Sequence, residues 1–168
     1  MDFNEKTSVY LDTSVISHLD HADTKEKYDI THRFWEDVKK DVYDVYISSL
    51  VMYEIDKCNT EKRDLLRNYL KEVKYTELNV DEKVLRLADE IVNQGILTKK
   101  SYEDCQHIAF AVLNRCDCLL SWNMKHLSTY KTNNGVRKLT LQKDLKTIYI
   151  ITPTMMLEMG SDYAEDFR

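Results

Sequence analysis

The sequence predicts an α/β fold in which an open, mostly parallel sheet is covered by helices. Short β-favouring runs alternate along the chain with longer segments whose apolar residues recur at the helical spacing. The chain of 168 residues is long enough for one domain with its own core, and three Gly and one Pro leave little room for hairpins. We therefore expect a single domain over residues 1–168, with an acidic tail that frays from residue 160.

Five short segments are predicted as the strands of this sheet, and the third of them is expected at an edge. The predicted strands are residues 7–11, 45–47, 75–78, 118–120 and 148–151. Thr152 and Pro153 end the last strand, and residues 154–158 are expected to form a terminal turn.

The segments between these strands carry the apolar spacing of amphipathic helices. The predicted helices are residues 30–42, the segment after Ser48 and Ser49, and residues 63–72, 83–94, 102–115 and 124–130. A helical turn is expected at residues 15–17, and Gly95 is expected to end the helix over 83–94. The run Thr-Asn-Asn-Gly at 132–135 is predicted to be the clearest loop in the chain.

The fold is organised around residues 101–127, which predict a helix, a tight turn and a buried strand. That strand runs into Asn123, and the carboxyl end of a parallel strand is where open α/β folds build their sites. Asp104 lies along the edge of the apolar face of the preceding helix, so we expect Asp104 and Asn123 to meet. His107, three residues after Asp104, is interpreted as a hydrogen-bonded residue of the half-buried core.

Two acids from earlier in the chain are expected at the same place. Asp12 directly follows the first strand, where it either faces the crevice beyond the sheet or caps the next helical turn. Glu54 interrupts an apolar stripe; a buried carboxylate there needs a partner, a raised pKa or a cation, and the alternative is a side chain that extends to water. Asp104 has an alternative as well, a capping box with Ser101.

The residue types at this edge indicate a metal site. Asp12, Glu54 and Asp104 supply carboxylate oxygens and Asn123 a neutral oxygen, which are ligands suited to Mg²⁺ or Mn²⁺. Without a cation, carboxylates a few ångströms apart would repel each other. Such a site fits hydrolysis of a phosphodiester bond. The sequence has no glycine-rich phosphate loop, H-E-x-x-H or G-x-G-x-x-G, which disfavours other common chemistries.

Charge, cysteine spacing and hydropathy limit the function further. A net charge of −5 argues against broad, charge-driven binding of nucleic acid, and leaves room for a local basic rim or a metal in an acidic pocket. The four Cys include no C-x-x-C pair and are interpreted as reduced core residues rather than zinc ligands. The sequence shows no apolar stretch of membrane length and no secretory signal, so we expect a cytoplasmic protein that does not bind membranes.

At these residues the sequence resembles a known family. The stretches VYLDTSVIS, SSLVMYEI, DCQHIAFAVLNRCDCLLSWNMKHL and IYIITP are similar to those of PIN-domain ribonucleases, most closely the toxins of bacterial VapBC-type toxin–antitoxin pairs. The likeness extends over nearly the whole chain, and its most specific part is the block that begins at Asp104.

The resemblance implies a three-layer α/β/α sandwich and endonucleolytic cleavage of RNA that depends on Mg²⁺ or Mn²⁺. It assigns the metal-binding and catalytic positions to Asp12, Glu54 and Asp104, and a fourth acidic position of the family falls at or beside Asn123. Asn123 can offer its carbonyl oxygen but removes one negative charge, which disfavours a tightly bound second metal ion. The resemblance also implies a homodimer and, in the toxin branch, an antitoxin that blocks the site.

Three nearby residues are candidates for contacts to substrate or bound water. Ser14 matches a small hydroxyl residue often found beside the first acid in the family, and it could orient a bound water. Lys125 and His126 follow the fourth strand and either contact the phosphate backbone of RNA or are surface residues without a role.

Other functions stay open on the sequence alone. A PIN-fold nuclease of RNA processing would use the same residues as a toxin. A non-catalytic interaction module is favoured by Asn123 and disfavoured by the retained acids at Asp12, Glu54 and Asp104. A phosphatase or phospho-receiver would need a second acid two residues after Asp12 or an adjacent acidic pair, and Ser14 and Leu11 stand there instead.

Overall fold

The computed structural model describes residues 5–20 and 23–165, of which residues 161–165 are described by their backbone alone. Within this part of the chain, the strands are β1 (Ser8–Leu11), β2 (Asp44–Ser48), β3 (Thr76–Leu78), β4 (Cys118–Leu120) and β5 (Tyr149–Ile151). They form one sheet in the order β3-β2-β1-β4-β5, and every neighbouring pair is parallel. The five predicted strands are therefore confirmed, with β3 at an edge.

Helices connect and follow these strands. They are α1 (Thr13–Ser17), α2 (Lys25–Lys39), α3 (Ser49–Asp56), α4 (Thr60–Lys71), α5 (Glu82–Asn93), α6 (Tyr102–Leu113), α7 (Tyr130–Gln142) and α8 (Pro153–Glu165). A short 3₁₀ turn, Lys99–Ser101, precedes α6. Gly95 follows α5 with φ of +70°, a conformation that glycine adopts without strain, and so ends that helix as predicted.

The strand side chains alternate between two cores, because successive residues of a strand point to opposite faces. Val9 and Leu11 pack with α1 to α4 and with Met156 of α8. Tyr10 lies between them in sequence and packs with α5, α6 and α7 on the other face. The sheet is thus covered on both sides, and the predicted three-layer α/β/α sandwich with a parallel central sheet is confirmed.

The prediction for residues 124–135 is wrong. Residues 124–129 of the expected helix at 124–130 form turns and bends, and Tyr130 begins α7. The expected loop at 132–135 lies inside α7. The polar residues that suggested a loop have tertiary partners instead. Asn133 Nδ2 donates to the carbonyl oxygen of Ile150, and Asn133 Oδ1 accepts from the Ile150 amide, so this side chain satisfies the outer edge of β5. A Cβ at Gly135 would stand 2.9 Å from Ile96 Cγ1, so this glycine allows α7 to pack closely.

The extents of some helices also differ from the prediction, and α2 and α8 differ most. Helix α2 spans 25–39 rather than 30–42, because the Thr24 hydroxyl accepts a hydrogen bond from the Lys27 amide and caps an earlier start. The expected terminal turn at 154–158 is part of the longer helix α8, whose backbone continues through the start of the expected tail to Glu165. Residues 166–168 of that tail lie outside the described part. No helix in the described residues is long and apolar enough to cross a membrane.

Candidate active site

The predicted site residues lie near the carboxyl ends of the central strands. Asp12 follows β1, Asn123 lies three residues beyond β4, and Glu54 is on the helix that follows β2. Asp104 lies in the first turn of α6, the helix that precedes β4. The four side chains are linked by hydrogen bonds and by electrostatic interactions that run through His107.

Asp12 caps α1 and also contacts the end of β4. Its Oδ1 accepts hydrogen bonds from the Ser14 amide at 3.0 Å and from the Ser14 hydroxyl. Its Oδ2 accepts from the Ser121 hydroxyl at 2.6 Å. Both arrangements considered for Asp12 are therefore present together. Burial raises the pKa of Asp12, although the nearby His107 and the two serine hydroxyls counteract that effect.

Ser14 joins the two strand ends. Its hydroxyl donates to Asp12 and accepts a hydrogen bond from the Trp122 amide at 2.9 Å. The Ser121 hydroxyl likewise accepts a hydrogen bond from the backbone amide of Asn123 at 2.9 Å while it donates to Asp12. These two serines fix the orientation of the Asp12 carboxylate relative to the loop after β4.

Glu54 is paired with a histidine rather than extended into water. Its Oε1 accepts a hydrogen bond from His107 Nε2 at 3.1 Å, and its side chain is 22% exposed. Burial alone would raise the pKa of Glu54, but the hydrogen bond and the charge of His107 outweigh it and lower that pKa. The sequence predicts that a buried Glu54 needs a partner, a raised pKa or a cation, and in the structure it has a partner, His107.

His107 lies at the centre of the site. Burial alone lowers its pKa, but the Glu54 hydrogen bond and the charges of Asp12, Glu54 and Asp104 outweigh this and raise it. The side chain is 3% exposed, and both ring nitrogens have partners: Glu54 at Nε2 and the Tyr10 hydroxyl at Nδ1. It is the hydrogen-bonded core residue that the sequence predicts, but its partner is one of the site acids.

Asp104 carries the clearest electrostatic perturbation in the site. Burial raises its pKa to about 6, and the charges of Asp12 and Glu54 add to the rise while His107 and His126 oppose it. Its Oδ2 accepts a hydrogen bond from Asn123 Nδ2 at 3.2 Å. The Ser101 side chain makes no capping hydrogen bond to α6, so the capping-box alternative is not observed.

Asn123 holds both the acid and the loop after β4. Its Nδ2 donates to Asp104, while its Oδ1 accepts from the His126 amide at 3.1 Å and closes a turn. Lys125 lies in that turn, and Lys125 and His126 line a small cleft of about 170 Å³ together with Ser101 and residues of α7. Neither residue forms an ion pair within the described part of the chain.

Three residues of the site were not singled out from the sequence, namely Tyr10, Ser48 and Ser121. Ser48 ends β2 and Ser121 directly follows β4, where a polar group is expected to face the site, whereas Tyr10 lies in β1 and its ring packs in the core. Tyr10 sits on β1 directly before the stretch that contains Asp12, and its hydroxyl also bonds to the Ser48 hydroxyl at 2.7 Å. The positions of Ser48 and Ser121 at the ends of predicted strands could have identified them from the sequence.

The chemistry of the donor set fits a divalent cation. The carboxylates of Asp12, Glu54 and Asp104 interact through space, and a cation would relieve the repulsion that helps to raise the pKa of Asp104. In the described residues, no three Asp, Glu, His or Cys side chains are already arranged around a metal position. Instead, serine, histidine and asparagine donors hold the carboxylates separately.

Comparisons with solved structures agree with the observed architecture. One similar structure is VapC20 from Mycobacterium tuberculosis, a sarcin-ricin loop cleaving toxin; the chains share 16% identity with a TM-score of 0.54, over 67% of this chain and 87% of that chain. Another is VapBC2 from Rickettsia felis bound to a DNA fragment from their promoter, at 14% identity and a TM-score of 0.52, over 87% of this chain and 98% of that chain.

The chain therefore has a VapC-like PIN-domain fold, as its motifs predict. No protein-family model matches the sequence, and no curated protein is similar to it in sequence. At the identities found, the likeness establishes the fold, and the function is argued from the site.

Proposed function

We propose that the protein is a metal-dependent endoribonuclease that hydrolyses RNA phosphodiester bonds. One observation carries the proposal: Asp12, Glu54 and Asp104 interact electrostatically at the carboxyl end of a PIN-type sheet. Without a cation, neighbouring carboxylates repel each other, whereas a divalent cation bound between them is stabilised by their negative charges. The structural likeness to VapC toxins supports the same activity.

In this proposal the three acids hold Mg²⁺ or Mn²⁺, with the Asn123 amide oxygen as a fourth ligand. That oxygen accepts one hydrogen bond from the His126 backbone amide in the structure, and a carbonyl oxygen has a second lone pair that can bind a cation. When bound, the cation would polarise the scissile phosphoryl group and supply a hydroxide at neutral pH. The neutral Asn123 leaves the site with fewer negative charges than four acids would provide, which favours one tightly bound ion over two.

The remaining proposed roles belong to residues beside the acids. Ser14 and Ser121 hold the Asp12 carboxylate in one orientation, and Ser14 also orients a bound water. Lys125 and His126 contact the phosphate backbone of the RNA next to the cleaved bond. A local basic rim of this kind is compatible with the overall net charge of −5.

The decisive experiment is cleavage of structured RNA in the presence of Mn²⁺. The wild-type protein is compared with the isosteric variants Asp12→Asn and Asp104→Asn, each checked for folding by circular dichroism. Cleavage by the wild type and its loss in both folded variants support the proposal. Equal cleavage by all three proteins would point to a contaminant and would remove the proposal.

A binding module without turnover is the second candidate function, and Asn123 is the observation in its favour. The side-chain amide of Asn123 donates a hydrogen bond to the Asp104 carboxylate, which therefore has a partner within the protein where a cation would otherwise be expected. A phosphatase or phospho-receiver is disfavoured, because the position two residues after Asp12 carries the Ser14 hydroxyl hydrogen-bonded to it. If the wild-type protein binds RNA but does not cleave it with any of the divalent cations tested, the binding module is the correct function.

We also propose that the chain acts as the toxin of a toxin–antitoxin pair in the cytoplasm, as a homodimer with a small antitoxin partner. The likeness to VapBC2 supports this proposal. Expression of the chain alone should arrest growth, and a small neighbouring open reading frame expressed with it should restore growth. Light scattering on the purified protein tests the dimer.

A further inference from the structure

A chain of buried hydrogen bonds leads from Ser48, the last residue of β2, to the site acid Glu54. The Ser48 hydroxyl, the Tyr10 hydroxyl and the His107 ring follow one another with separations of 2.7 Å at both steps. His107 Nε2 then reaches Glu54 Oε1 at 3.1 Å. Tyr10 and Ser48 are fully buried and His107 is 3% exposed, so these polar groups depend on each other for hydrogen bonds.

We infer that Tyr10 and His107 are positioning residues that hold the Glu54 carboxylate toward Asp12 and Asp104. The inference rests on the proposed function, because its purpose is to prepare Glu54 for a divalent cation. Neither residue touches the reacting atoms in this account. They act on the side chain that does.

The direction of the hydrogen bonds explains why a tyrosine and a histidine suit this role. An ionised carboxylate only accepts hydrogen bonds, so Nε2 of His107 must carry a proton and donate to Glu54. Tyr10 can either donate to Nδ1 or accept from it, because the Ser48 hydroxyl can take the complementary part. The donor to Glu54 is therefore kept in either state of the ring.

The His107 ring is held in place by packing as well as by its hydrogen bonds. The Tyr10 ring lies against the His107 ring with centroids 5.7 Å apart and against Phe110 with centroids 6.1 Å apart. Tyr10 is on a central strand and His107 on a helix buried along most of its length. Glu54, by contrast, lies on a short helix with its side chain 22% exposed, so its carboxylate is held by more deeply buried partners.

Two substitutions at one position separate positioning from mere stability. The amide nitrogen of His107→Gln can take the place of Nε2 and donate to Glu54, whereas the shorter side chain of His107→Asn can bond to Tyr10 but does not reach Glu54. Calorimetric titration with MnCl₂ should give an affinity about tenfold weaker for His107→Asn, as expected for loss of a residue that orients a metal ligand. The affinity of His107→Gln should stay within about threefold of the wild type, because this variant keeps a donor to Glu54.

Tyr10→Phe tests the next link with little change in shape. It leaves Nδ1 of His107 without its partner, and the ¹⁵N signals of the ring in the metal-free protein should shift. The control is Thr140→Val, which removes a buried hydroxyl of α7 that bonds to the Arg137 carbonyl outside the site. Thr140→Val should lower the melting temperature without changing the affinity for Mn²⁺.

The outcomes are distinct. A weaker affinity in His107→Asn, retained in His107→Gln, together with shifted ring signals in Tyr10→Phe supports the inference. Equal affinities for Mn²⁺ in both His107 variants and the wild type would overturn it, as would unchanged ring signals in Tyr10→Phe. A wild-type protein that binds no Mn²⁺ would defeat the proposed function itself, whereas wild-type binding with indifferent variants would defeat only the positioning role.

Discussion

The amide nitrogen of Asn123 donates a hydrogen bond to the carboxylate of Asp104, with 3.2 Å between Nδ2 and Oδ2. A neutral donor thus stands where the family resemblance leads one to expect a fourth acid. Because Asp104 is half-buried and feels the charges of Asp12 and Glu54, this hydrogen bond stabilises an otherwise unfavourable carboxylate.

Asn123→Asp should make the stability of the protein depend on the cation. The new carboxylate replaces the donor to Asp104, so without metal the variant should lose about 1–3 kcal/mol of unfolding free energy at pH 7. MnCl₂ should restore more stability to the variant than to the wild type. Thermal melts in EDTA and in MnCl₂ measure both effects, with Asn123→Ala as the control that removes the donor without adding charge. A variant as stable as the wild type in EDTA would contradict the account of this hydrogen bond.

Asp104→Asn should stabilise the metal-free protein at neutral pH. Since the pKa of Asp104 is raised from 3.8 to about 6, the native state binds more protons than the unfolded chain between these values, and its stability falls as pH rises through them. The variant lacks this titration. Its melting temperature in EDTA should therefore exceed that of the wild type by about 2–4 °C at pH 7, the shift that about 1 kcal/mol produces in a domain of this size.

The same comparison at pH 4 supplies the control. There Asp104 is largely protonated in the native protein, so the advantage of the variant should shrink. An advantage of equal size at both pH values would mean that burial and charge at residue 104 are not its cause.

Asn133→Ala should destabilise the fold without affecting the site. The variant leaves the amide and the carbonyl of buried Ile150 without their partners at the outer edge of β5, which should cost about 1–3 kcal/mol. Urea denaturation measures the loss, and titration with Mn²⁺ should give the wild-type affinity. Asn134→Ala is the matched control, because it makes the same change at the next position of α7. Equal stability of the two variants would refute the role of Asn133 at the sheet edge.

Lys125→Ala should weaken RNA binding by an electrostatic mechanism. If Lys125 contacts one phosphate of a single strand, the slope of log affinity against log salt concentration should become shallower by about 0.7. Filter binding to a catalytically inactive background such as Asp12→Asn avoids cleavage during the measurement. Lys40→Ala, at the C-terminal cap of α2, is the control and should leave the slope unchanged. A slope that is the same with and without Lys125 would place the RNA elsewhere.

The sequence predicts the sheet well because each strand is a short β-favouring run bounded by helix-capping residues. It predicts that residues following β1, β2 and β4 lie at one edge of the sheet, because parallel strands have their carboxyl ends at the same edge. It fails at residues 132–135, where asparagine and glycine usually indicate a loop. Those residues are helical because Asn133 bonds to the edge of β5 and Gly135 packs against Ile96, and both partners are remote in sequence.

The link between His107 and Glu54 shows the same limit within the site. The sequence predicts a buried, hydrogen-bonded histidine and a carboxylate in need of a partner. These two expectations concern residues 53 positions apart, and only the folded structure brings His107 of α6 within hydrogen-bond distance of Glu54 of α3. Local periodicity indicates that each residue is unusual, whereas the pairing is a property of the tertiary structure.

The most direct test of a cation site shared by the three acids is calorimetric titration of the metal-free protein with MnCl₂. It compares the wild type with Asp12→Asn, Glu54→Gln and Asp104→Asn. Asp89→Asn, at an acid on α5 outside the site, is the control. Each of the three site variants should bind Mn²⁺ at least about tenfold more weakly than the wild type, whereas the control should bind it with wild-type affinity. Wild-type affinity in all three site variants would show that these acids do not share a cation.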